Sequence, residues 1–188
     1  MDEARFQKGL SFPAYLDTVV KNRAFWLGLE PRAKLQPAVT ARLGLWSTPW
    51  HLVALAEDWC GDAVNVLPWV ARLAEGASNV SFRVFSRDGN PDLMDAHLTG
   101  GVSRSIPVII AYDEHFREHG WWGPRPRELQ SWVKGEGQTL TPADRYVQVR
   151  RWYARDKGRS TLGELLSIMG WSPAEVEELF PSTLTYSV

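Results

Sequence analysis

With a single cysteine, Cys60, among its 188 residues, the chain can close no internal disulfide. A disulfide-stapled secreted scaffold is excluded, and so is a zinc site built on several cysteines. Neither sign of charge is in surplus, with 21 Lys and Arg against 22 Asp and Glu, so nucleic acid is not an expected partner. No stretch approaches the ~20 apolar residues of a membrane helix. The opening MDEARFQKGLSF also lacks the apolar run of a secretory signal. A membrane partner is not expected, the expected location is cytoplasmic, and Asn79-Val80-Ser81 reads as a chance sequon. No repeat of solenoid period and no Gly/Pro-rich linker divides the chain. We therefore expect one domain over residues 1–188: an N-terminal helical segment (1–45), a core (46–135) and a C-terminal helical cap (136–188).

What the chain does have is apolar mass: 44% of its residues are hydrophobic and ten are Trp, enough for one well-buried core. Phe12, Tyr15, Leu16, Val19, Val20 and Leu27 recur at three- and four-residue spacing, which predicts a single helix from Ser11 to about Gly28. A shorter helix should follow Pro31 and stop at Gly44. The largely apolar run at 50–56 has the length of a central strand buried on both faces. Residues 60–75 return to helical spacing, with a kink expected at Pro68 and a stop at Gly76. Strands at 80–85 and 108–112 flank a helix at 91–98. Asp113-Glu114 should turn the chain into a fourth strand through Phe116 and His119, before a helix at 126–134. The order is β-α-β-α-β-β-α. Three further helices are expected, one opened by Pro142 and running to Trp152, one capped by Ser160-Thr161 with Glu164, and one opened by Ser172-Pro173.

Cys60 stands where the first strand meets the following helix, in Glu57-Asp58-Trp59-Cys60-Gly61-Asp62-Ala63. A thiolate there meets free backbone N–H groups and the positive end of the helix dipole, which favour the reactive form. The alternative is a buried cysteine that fills space. Trp59-Cys60-Gly61-Asp62 resembles the active-site motif of the thioredoxin superfamily, and Ser105-Ile106-Pro107-Val108 resembles its cis-proline loop. More narrowly, Met94-Asp95-Ala96-His97-Leu98 leading to Arg104, followed by Trp122-Gly123-Pro124-Arg125-Pro126, resembles a bacterial thioredoxin-like branch with a Cys-Gly-Asp-Cys site. The resemblance spans about residues 46–135. It implies an α/β thioredoxin-like fold, a mixed four- to five-stranded sheet flanked by helices, with helical extensions at both ends. It also implies thiol-disulfide oxidoreductase chemistry, with Cys60 as nucleophile and Trp59, Gly61, Asp62, Arg104, Ile106 and Pro107 around the substrate.

The departure is Ala63, where the dithiol pattern has its resolving cysteine one helical turn on. Any redox cycle is then monothiol: Cys60 forms a mixed disulfide with a protein or low-molecular-weight disulfide, and an external thiol such as glutathione releases it. No other cofactor and no metal is expected. The alternative is a redox-inactive binding module that keeps the cis-proline groove for partner recognition, and a Cys60 pKa at or above the free-thiol value favours it. Asp58 and Asp62 oppose a thiolate, whereas the helix start and Arg104 favour one. Glu57 reads as an ordinary strand-end carboxylate, Arg125 and Arg127 as solvated charges at a helix entry, and Trp121 and Trp122 as a rim for partner contact. His115-Phe116-Arg117-Glu118-His119 matches a zinc-peptidase signature, but on a strand its histidines lie ~13 Å apart, too far for one ion.

Overall fold

The computed structural model describes residues 1–181, so the last seven residues of the expected C-terminal cap lie outside the described residues. Four strands make one mixed sheet: β1 (Trp50–Ala56), β2 (Val80–Ser86), β3 (Val108–Tyr112) and β4 (Glu118–Trp122), in the order β2-β1-β3-β4. β1 runs parallel to β2 and antiparallel to β3, and β3 is antiparallel to β4. The unbroken apolar character of β1 reflects that central place, since Leu52 to Ala56 have no exposure on either face.

Ten α-helices lie around the sheet within the described residues: α1 (Glu3–Phe6), α2 (Phe12–Thr18), α3 (Arg23–Leu29), α4 (Pro37–Gly44), α5 (Gly61–Gly76), α6 (Pro91–Ala96), α7 (Arg127–Lys134), α8 (Pro142–Asp156), α9 (Arg159–Ile168) and α10 (Pro173–Leu179). Helix α5 joins β1 to its parallel neighbour β2 and is continuous through the buried Pro68. Its apolar positions Val64, Val66, Leu67, Val70 and Leu73 are fully buried, and α3, α4 and α9 pack against it. No helix is long and apolar enough to cross a membrane among the described residues.

Three local expectations are corrected. The single helix expected from Ser11 is two, because tertiary partners claim the backbone between them. Asp58 accepts from the Val20 and Lys21 N–H groups at 3.0 and 2.7 Å, and Asn22 turns left-handed (φ 56°) to donate to the Trp59 carbonyl. Trp26 Nε1 donates to the Asp58 carbonyl at 2.9 Å, which fixes α3 on the strand end that carries Cys60. The fourth strand starts at Glu118 and leaves Phe116 outside. The Asp113 carboxylate takes the His115 and Arg117 N–H groups, both at 2.9 Å, while Phe116 adopts φ 58°.

Ser160 and Thr161 cap nothing. Helix α9 already starts at Arg159, after the left-handed pair Lys157 and Gly158, so both residues lie inside it, and Ser160 donates to Asp156 instead. Gly158 is required there, since a Cβ would lie 2.3 Å from the Trp69 ring. The expected capping box at Ser172 is present, reciprocated by Glu175.

Candidate functional site

Strand β1 ends at Ala56, and four residues later Cys60 is the N-cap of α5, with extended backbone at φ −80° and ψ 112°. Its Sγ accepts from the Ala63 N–H at 3.5 Å and donates to the Ile106 carbonyl oxygen at 3.3 Å. Ile106 precedes Pro107 through a cis peptide bond at the entry to β3. The loop after β4 locks against this one, because a Cβ on Gly123 would lie 2.2 Å from the Pro107 carbonyl oxygen. That close approach sets where Arg125, two residues on, can reach.

Arg125 reaches the second residue of α5. Its guanidinium holds the buried Asp62 carboxylate at 2.5 and 3.0 Å, and Tyr153 Oη donates to the same carboxylate at 3.0 Å. Arg125 is therefore an ion-pair partner under the site and not a solvated helix-entry charge. Burial raises Asp62, while Arg125 and Tyr153 pull it back down. Asp62 is accordingly both the first-turn acid of α5 and a tie between α5, α8 and the loop after β4.

Cys60 is itself 7% exposed. Burial, and then the Asp62 charge, push its thiol up to about 11, against the pull of the Ala63 and Asp62 amides and of Arg125. Desolvation outweighs the helix start here. Ionisation also forfeits the hydrogen bond that the thiol donates to Ile106.

The remaining residues named from sequence divide into two groups. Trp59 is exposed, with the Arg87 guanidinium 5.0 Å from its ring centroid, and Arg104 lines the same groove. Arg104, however, is engaged with Asp95 through two bonds of 2.7 and 2.6 Å. At Gly61 the close approach is made by the protein, since a Cβ would sit 2.9 Å from Tyr146 Oη on α8. Glu57 accepts from Ser86 Oγ and the Asp88 N–H. Trp122 is no rim: it is buried and donates to Glu164 at 2.6 Å, and Trp121 packs edge-on to His97.

Together these elements enclose a groove of about 480 Å³ with Cys60 in its wall, lined also by Trp59, Arg87, Arg104, Arg145 and Tyr146. Arg87 on the loop after β2 and Arg145, Tyr146 and Tyr153 on α8 are site residues that sequence reasoning did not reach. Nothing in the α8 sequence says which element that helix covers. The one available signal was the pairing of a lone acid, Asp62, with the arginine of the Gly123-Pro124-Arg125 turn.

A family model described as thioredoxin matches residues 9–142, more than half of the chain, and so covers the 46–135 core and extends beyond it, mainly on the N-terminal side. Among solved structures, a protein of unknown function from Pseudomonas aeruginosa is 22% identical, with a TM-score of 0.67 over 90% of this chain and 97% of that one. An HIV epitope-scaffold is 20% identical, with a TM-score of 0.65 over 90% of this chain and 98% of that one. At such identities the likeness is one of fold. No curated protein matches the chain.

Proposed function

We propose that this chain, which belongs to the thioredoxin family, is a monothiol thiol-disulfide oxidoreductase that works through Cys60. The observation that carries the reading is the position of the Cys60 sulfur. It is the N-cap of α5, takes the Ala63 N–H, lies against the Ile106 carbonyl and opens on a groove. In the first step the Cys60 thiol gives its proton to water and its sulfur attacks one sulfur of a disulfide R–S–S–R. A Cys60–S–S–R bond forms, the R–S–S–R bond breaks, and the departing thiolate takes up a proton as R–SH. Ala63 supplies no second sulfur, so a thiol from the surrounding pool, glutathione being the probe of choice, loses its proton and attacks the R-bearing sulfur of the mixed disulfide. A glutathione–S–S–R bond forms, the Cys60–S–S–R bond breaks, and the released Cys60 thiolate takes up a proton. A cytoplasmic thiol pool suits this cycle.

Within the cycle, Ile106 and Pro107 offer the backbone edge along which an extended disulfide substrate lies. Trp59 gives it an exposed aromatic surface. Asp62 and Arg125 hold the start of α5 and the two loops in register along the same groove. The test is incubation with glutathione disulfide, followed by intact-protein mass measurement and then by release with excess reduced glutathione. The reading expects one adduct, on Cys60, that the thiol removes, and none on Cys60→Ser.

A second reading has a specific observation in its favour. The burial of Cys60 and its rise to about 11 suit a binding module that uses the same groove without turnover. Under that reading no adduct forms at neutral pH, and partner affinity is indifferent to Cys60→Ser.

A further inference from the structure

Four arginines line the groove beside Cys60, against one acid, Asp62. Three of the four are committed within the protein. Arg125 is spent on Asp62 and Gln130, and Arg104 is bidentate to Asp95. Arg87 pairs with Asp88, donates to the Arg104 carbonyl and lies over Trp59. The fourth, Arg145, is half-buried and has no side-chain partner among the described residues. The acid next to it in sequence, Asp144, is turned onto the Thr141 hydroxyl at 2.7 Å.

A partly desolvated guanidinium without a counter-charge is costly unless a ligand supplies the charge. Its planar fork matches a carboxylate. Its place is fixed by its neighbour, since Tyr146 packs on Gly61, the residue after Cys60. The excess is also local, because the whole chain carries a formal charge of −1.

We propose that Arg145 binds a carboxylate carried by the sulfur compound that reacts at Cys60, so that the groove selects anionic thiols and disulfides over neutral or cationic ones. The substrate class is thus a small or peptidic disulfide with a carboxylate close to its sulfur. The exchange reading above supplies the ligand's sulfur, whereas the carboxylate site stands on Arg145 and the groove. The carboxylate stays ionised throughout and its ion pair with Arg145 is the same before and after sulfur exchange, so it orients the substrate without entering the electron balance.

The test compares alkylation of Cys60 by iodoacetate and by iodoacetamide, which differ in one negative charge. The ratio of the two rates cancels any general change in exposure or ionisation of the sulfur. Taken relative to the same ratio for a free cysteine peptide, it should be raised in the wild-type chain and fall about tenfold, as for loss of one charge-assisted contact, in Arg145→Gln. Arg145→Lys should keep part of it, and the wild-type ratio should fall with added salt. A wild-type ratio equal to that of the peptide, or one unchanged in Arg145→Gln, overturns the proposal. Glutathione disulfide and cystamine separate the two readings. Exchange with both at equal rates sinks the carboxylate site alone, whereas charge-selective alkylation with no exchange by either sinks the oxidoreductase reading and leaves the site standing.

Discussion

Two pulls on the Cys60 sulfur are unequal. The Ala63 and Asp62 amides and the Arg125 charge favour a thiolate, and burial with the Asp62 charge opposes it more strongly, to about 11. A raised thiol pKa means that the reactive form is scarce below it. Iodoacetamide alkylation of Cys60 should therefore climb about tenfold per pH unit beyond the ordinary thiol range and level off near 11. Replacing Asp62 by Asn removes the charge that opposes the thiolate and should shift that profile to lower pH. It also leaves Arg125 without its anion, at a cost of about 3 kcal/mol or more in unfolding free energy, readable by urea denaturation. At this scale much was legible beforehand: the Trp59-Cys60-Gly61 segment and the Ile106-Pro107 loop meet as their motifs imply. Burial of the thiol was not legible, because spacing and motif do not show what packs around the site; α8, some 85 residues further along the chain, closes on Gly61 next to Cys60 and is linked to the site by no motif.

The elements around the site hold one another through a few polar ties. Asp58 takes two backbone N–H groups from the break between α2 and α3, and its own carbonyl takes Trp26 Nε1. Asp58→Ala should leave those N–H groups unpaired, cost about 1 to 3 kcal/mol of stability, and speed amide hydrogen exchange at Val20 and Lys21 before it affects the sheet. Apolar spacing alone runs straight across residues 19–22, so the break could not be read from periodicity. A carboxylate from a distant loop competes for the same N–H groups and wins. Helix α8 depends on the small residue beneath it. Gly61→Ala puts a Cβ 2.9 Å from Tyr146 Oη, so α8 should yield at its first turns and Cys60 should become more accessible, with faster iodoacetamide alkylation at constant pH. Strands β1 and β3 were readable from short, largely apolar runs of strand length, and β2 from the alternation of Val80, Phe82 and Val84 with Ser81 and Arg83. The start of β4 was not, since side chain to backbone bonds at Asp113 set it.

For the molecule as a whole, the thioredoxin frame is intact and the second sulfur is the missing part. Position 63 lies one turn along α5, and its N–H already points at Cys60 Sγ. Ala63→Cys should therefore convert the chain to dithiol behaviour: after oxidation the protein loses two hydrogens in mass where the wild type gains an adduct. The helical extensions enlarge what the family resemblance covered, and α8 brings Arg145 and Tyr146 over the groove. The most direct test of the account is intact-protein mass measurement after exposure to glutathione disulfide at neutral pH. The account predicts a single glutathione adduct on Cys60 that reduced glutathione removes. A protein whose mass stays unchanged through prolonged exposure, while the denatured chain is modified readily, would contradict it.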